Sequence, residues 1–62
     1  MKFKPNDIIY NPQYNCALEV IAIFELYHTN IDILEYILED ELGLFYASAK
    51  YYDDNFIKVG TL

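Results

Sequence analysis

The stretch from Leu18 to Leu26 constrains the fold more than any other part of this chain. Leu18, Val20, Ala22, Phe24 and Leu26 are all apolar, and Glu19, Ile21, Ile23 and Glu25 alternate with them. A period of two with three β-branched residues predicts a strand, buried on its even face and partly covered on its odd one. Coiled as a helix, the same residues would turn apolar side chains nearly all round, with the two glutamates about 120° apart. The segment is expected to be extended.

The flanking residues supply shorter elements. Pro5-Asn6-Asp7 is a turn signal, and the β-formers Ile8-Ile9-Tyr10 follow it. Asn11 to Asn15 reads as a loop, because Pro12 pushes Asn11 out of the helical region and asparagine favours turns. His28-Thr29-Asn30 breaks the chain again. Ile31 to Leu42 supports two assignments. Thr29 or Asn30 can cap a helix there, with Asp32, Glu35 and Glu39 on one face and Gly43 at its end. Equally, Ile31, Ile33, Leu34, Tyr36, Ile37 and Leu38 are too uniformly apolar for a lone amphipathic helix, and Glu39-Asp40-Glu41-Leu42-Gly43 reads as a hairpin loop. Leu44 to Ser48 is a short strand with apolar residues on both faces. Ala49 to Asn55 suits one helical or 3₁₀ turn, and Phe56 to Val59 alternates as a last strand that Gly60 stops.

This order resembles that of the small SH3-like barrel. Phe3-Lys4-Pro5-Asn6-Asp7-Ile8-Ile9-Tyr10 resembles the F-x-x-G-D-x-V entry of many such domains, with Asn6 where glycine is usual. Asparagine also tolerates left-handed backbone, so the departure leaves the fold intact. Ala47 to Val59 is similar to the ending, a 3₁₀ turn and then a last strand, of short uncharacterised proteins from phages and Gram-positive mobile elements. The resemblance implies an all-β fold: one SH3-like domain over residues 1–62, a five-stranded barrel with a 3₁₀ turn before the last strand. It also requires residues 31–38 to pair with Leu18–Leu26 as a strand. The alternative, α+β with a helix across 31–42, is what local propensity alone leaves open. Fold likeness of this kind implies far less about role than about shape.

At 62 residues the chain is one domain, burying roughly 60% of the surface its unfolded form exposes. With 55% hydrophobic residues it is too apolar for disorder. The longest apolar run, Val20 to Phe24, falls far short of the ~20 residues of a bilayer span, and the polar start from Met1 to Asp7 predicts no signal peptide. Cys16, the single cysteine, allows no internal disulfide, which favours a cytoplasmic location over secretion. No basic side chain stands near it to activate the thiol, so a small core residue is expected. Ten acids against four lysines give a net charge of −6. Every lysine sits near an end (Lys2, Lys4, Lys50, Lys58), while Asp7, Glu19, Glu25, Asp32, Glu35, Glu39, Asp40 and Glu41 occupy the middle. Such a surface repels phosphate, which disfavours direct nucleic-acid and anionic-membrane binding and favours a basic protein partner.

No catalytic constellation emerges, and the chain is expected to be neither an enzyme nor a cofactor or metal carrier. His28 has no partner for acid–base or metal work. Glu39-Asp40-Glu41 and Asp53-Asp54-Asn55 lack the ligand spacing of a calcium loop. A cross-strand pair such as Glu19 with Glu35 would raise one carboxyl pKa but has no cleft to act in.

The seven tyrosines point instead to recognition, because a buried phenol needs a partner for its hydroxyl and a small core holds few. In an SH3-like barrel Tyr10, Tyr14, Tyr51 and Tyr52 would fall on the first loop and the 3₁₀ turn, side by side. There they would form a patch of the sort that grips proline-rich peptides in SH3 domains. The expected function is a small acidic interaction module, in the manner of a phage-encoded modulator of a host protein. Its contacts are this tyrosine face or an open strand edge, with Glu39, Asp40 and Glu41 steering a basic partner. The alternatives are a nucleic-acid mimic presenting Asp32, Glu35, Glu39, Asp40 and Glu41 as a ridge, and a homo-oligomer subunit joined through strand edges.

Overall fold

The computed structural model describes the backbone of residues 2–28 and 31–62 and the side chains of residues 2–25 and 34–62. Its elements are β1 (Asp7–Asn11), β2 (Cys16–His28), β3 (Ile31–Asp40), β4 (Gly43–Ser48), α1 (Ala49–Asn55) and β5 (Ile57–Thr61). All five strands lie in one antiparallel sheet of order β4-β3-β2-β1-β5. The ambiguous segment is therefore a strand, and a helix across 31–42 is excluded. Its β-branched and aromatic residues fit a pleated surface against β2. The break at Thr29 and Asn30 lies outside the described residues, as does the side chain of His28, whose backbone ends β2 rather than starting a turn.

Turn chemistry sets the hairpins. Asn11, itself buried, accepts the N–H groups of Gln13 (2.8 Å) and Tyr14 (3.4 Å) on Oδ1. Asn15 then takes a left-handed φ of 52° and returns the chain into β2. Asn6 takes φ 76°, so the residue that replaces the usual glycine adopts a glycine-like conformation. Its N–H donates to Val20 O and its carbonyl accepts from Leu62 N–H, both at 2.8 Å. The β3–β4 hairpin is tighter than the sequence suggests. Glu39 and Asp40 remain in the strand, only Glu41 and Leu42 turn, and Asp40 Oδ1 accepts the Leu42 N–H at 2.7 Å. Gly43 leaves the turn at φ 123°, where a β-carbon is strained.

A bulge in β2 changes which residues face inward. The register with β3 runs Glu19↔Glu39 and Val20↔Leu38, then jumps to Ala22↔Ile37 and Ile23↔Tyr36, leaving Ile21 as the extra residue. Leu18 and Val20 face the core before the bulge and Ile23 after it, while Ala22 and Phe24 turn to the other face. The even-face expectation for Leu18–Leu26 thus holds only as far as Val20. Beyond Phe24 and Glu35 the β2–β3 hairpin continues as two strands alone.

The sheet is open. β4 and β5 are its two edges, so the closed barrel is realised only as a barrel-like sheet with α1 linking the edges in sequence. The segment before β5 is α-helical rather than 3₁₀: the backbone N–H of Phe56 donates to Tyr52 O four residues back (3.0 Å), and the Asn55 side-chain amide adds a bond to Tyr51 O (2.8 Å). Gly60 does not stop β5 but pairs with Ile8, beside a second bulge. Phe3, Ile9, Leu18, Val20, Tyr36, Leu38, Ala49 and Phe56 form the core, with Cys16, Ile23, Phe45, Ala47 and Tyr52 packed around it. No described helix is long and apolar enough to cross a membrane.

Candidate interaction surface

On the core-facing side of the sheet a polar network joins β3, α1 and the N-terminal segment. Tyr36, fully buried, donates its hydroxyl to Asp53 Oδ1 at 2.5 Å and accepts the Phe3 N–H at 3.1 Å. The Lys2 N–H donates to the same carboxylate oxygen at 3.2 Å, and Lys2 Nζ reaches Phe56 O at 3.3 Å. Burial, then the Asp53 acceptor, pushes the Tyr36 phenol up to about 12. Nearby, Asp7 is buried with its Oδ2 accepting the Lys4 N–H (3.0 Å) and its Oδ1 3.3 Å from Lys58 Nζ. The Lys4 N–H first, and Lys58 after it, hold this carboxyl below its ordinary value despite burial. These groups hold the N-terminal segment, α1 and β5 in place.

The opposite face is different. Directly paired residues on neighbouring strands share a face, so the register lays out its rows. One row runs Ile8, Glu19, Glu39, Leu44; the next Ala22, Ile37, Tyr46; the third Phe24, Glu35, Ser48. Tyr46 is 66% exposed, Leu44 63% and Phe24 41%, and the Phe24 and Tyr46 rings meet edge to face at 6.0 Å. Apolar side chains thus form a solvent-facing stripe bounded by Glu19 and Glu39 on one side and Glu35 on the other. It ends at β4, the edge strand.

The sequence-derived tyrosines separate. Tyr51 and Tyr52 touch edge to face at 5.1 Å, and Tyr52 also packs on Phe56 at 4.8 Å, beside the core. Burial first, then Tyr51, Cys16 and Asp40, raises the Tyr52 phenol. Tyr10 pairs with Ala17 and Ile57 on the face of β1 opposite buried Ile9 and Asn11, and its hydroxyl donates to Asn15 Oδ1 at 2.7 Å. Tyr14 projects from the loop, 67% exposed. Tyr51 with Tyr52 and Tyr10 therefore lie on opposite sides of the sheet. The acidic run divides too. Glu39 stands beside Glu19, Asp40 belongs to the other face and is tied to the turn, and Glu41 is in the turn itself. Glu35 pairs with Phe24 and not with Glu19. A shallow depression of about 310 Å³ lies between Asn15–Ala17 and Asp40–Leu42, with Cys16 on its wall.

Phe24, Leu44 and Tyr46 are absent from the sequence-derived set. The signal for the last two is the run Leu44 to Ser48, apolar on both faces in a strand that has a neighbour on one side only. Phe24 is hidden by the bulge. No family model, curated protein or solved structure matches the chain.

Proposed function

We propose that the protein is a small, non-enzymatic interaction module whose contact surface is the outward face of β2, β3 and β4. One observation carries this: aromatic and aliphatic side chains at Phe24, Leu44 and Tyr46 stand in solvent as one stripe, flanked by carboxylates and continuous with an unpaired edge. Contiguous exposed apolar surface marks interaction sites, and the acidic flanks with a net charge of −6 favour a basic protein partner. The strand order, with first and last strands adjacent and a helical turn before the last, supports assignment to the SH3-like class. That likeness, with the ending similar to short phage proteins, favours a modulator of a host protein acting in the cytoplasm.

A nucleic-acid mimic is supported less, since Glu39 and Asp40 fall on opposite faces. Affinity capture from the native host separates the surfaces. Phe24→Ser with Tyr46→Ser is expected to abolish capture, while Tyr14→Ala with Tyr51→Ala leaves it intact. The reverse pattern would overturn the proposal.

A further inference from the structure

The two edges of the sheet are not equivalent. β5 carries Lys58, faces β1 through a bulge, and so has the features that discourage edge pairing. β4 is Gly43-Leu44-Phe45-Tyr46-Ala47-Ser48, with no charge, no proline and, among the described residues, no strand on its outer side. Nothing in its sequence guards it. A strand laid along β4 would continue the outward face, placing alternate side chains opposite Leu44, Tyr46 and Ser48. The neighbours of those three residues on β3 are Glu39, Ile37 and Glu35. Successive strands lie about 4.8 Å apart, so the added strand would stand about 10 Å from β3. A lysine and a glutamate span that distance together across Leu44 or Ser48.

Building on the interaction-module proposal above, we infer that β4 receives an extended segment of a partner protein as a sixth strand, with the pattern basic–x–apolar–x–basic. The central apolar residue packs on Tyr46 and the two cations meet Glu39 and Glu35. The pattern is the same read from either end, so it suits parallel and antiparallel addition alike. Main-chain hydrogen bonds would supply affinity and the alternate side chains specificity. A second copy of this chain is a poor occupant: its own β4 offers no cation, and each copy brings six net negative charges.

The test uses the intact protein and a synthetic peptide, Thr-Lys-Thr-Leu-Thr-Lys-Thr, with affinity read by fluorescence anisotropy and the contact by amide shifts. The shifts are expected to concentrate at Gly43–Ser48. Replacing both peptide lysines by glutamate should weaken binding about tenfold or more. N-methylation of one alternate set of peptide amides should abolish binding and methylation of the other set should spare it, because only every second N–H of an added strand faces its neighbour. These changes leave the protein itself untouched. Equal tolerance of both methylated sets, with Phe24→Ser and Tyr46→Ser still destroying binding, would overturn strand addition but keep the interaction face. Insensitivity to all of them would remove both. A dimer in sedimentation without peptide, dissolved by Leu44→Lys, would replace the inferred occupant by a second copy.

Discussion

The hydroxyl of Tyr36 on β3 and the carboxylate of Asp53 on α1 are joined by a 2.5 Å, partly buried hydrogen bond. The same hydroxyl accepts the Phe3 N–H, so one phenol ties sheet, helix and N-terminal segment together. Tyr36→Phe keeps the ring packing but leaves the Phe3 N–H without its acceptor. A loss of about 1–3 kcal/mol is expected in urea unfolding. Asp53→Asn, which retains an acceptor oxygen, should cost less than Asp53→Ala.

Alkaline titration probes the same bond. The Tyr36 phenol sits at about 12 in the folded protein against 10.0 for an ordinary tyrosine. Its folded-state value is raised, so the stability it contributes is complete below pH 10 and is lost as pH rises towards 12. Tyrosinate absorbance should show a last ionisation near 12 that Tyr36→Phe deletes.

Asp7 works in the acid range with the opposite sign. Its carboxyl is held below the ordinary 3.8, so its contribution is complete above that value and disappears as pH falls through the lower, folded-state one. Asp7→Asn is expected to flatten the acid limb of the stability profile. Lys58→Met should do so only slightly, because Lys58 is half exposed and water screens its pull on the carboxylate.

The bulge at Ile21 predicts an inversion between neighbours. Ile23 packs against the core and Phe24 does not, so Ile23→Ser should cost about 1–3 kcal/mol and Phe24→Ser less than about 1 kcal/mol. Thermal unfolding of the two variants decides it. An unbulged strand would give the opposite order.

Glycine substitutions should diverge as well. Gly43→Ala places a β-carbon at φ 123° and is expected to cost about 1–3 kcal/mol. At Gly60 a β-carbon would meet Ile8 at an ordinary 3.8 Å, and a change within about 1 kcal/mol is expected from calorimetry.

Strand positions and turns were legible because their chemistry is local. Alternation marks Leu18 onward, Asn11 and Asn15 carry the first hairpin, and Gly43 the second. The bulge was not legible, since Val20 to Phe24 is apolar throughout and either parity buries well. The proposed contact surface was not legible for the same reason. Its members are chosen by cross-strand register, which brings Phe24 beside Glu35 and Tyr46 beside Ile37. Of Tyr10, Tyr14, Tyr51 and Tyr52, the sheet separates Tyr10 from Tyr51 and Tyr52. The role of the Tyr36 hydroxyl is not legible locally, because its partner Asp53 lies seventeen residues away.

On the proposed function, partners touch the Phe24–Tyr46 face. A photoreactive phenylalanine analogue placed in turn at Tyr46, Tyr14 and Tyr51, followed by irradiation in the native host and mass spectrometry, tests this directly. A single crosslinked protein from position 46, absent from 14 and 51, is the predicted result. Crosslinks from 14 or 51 with none from 46 would contradict it.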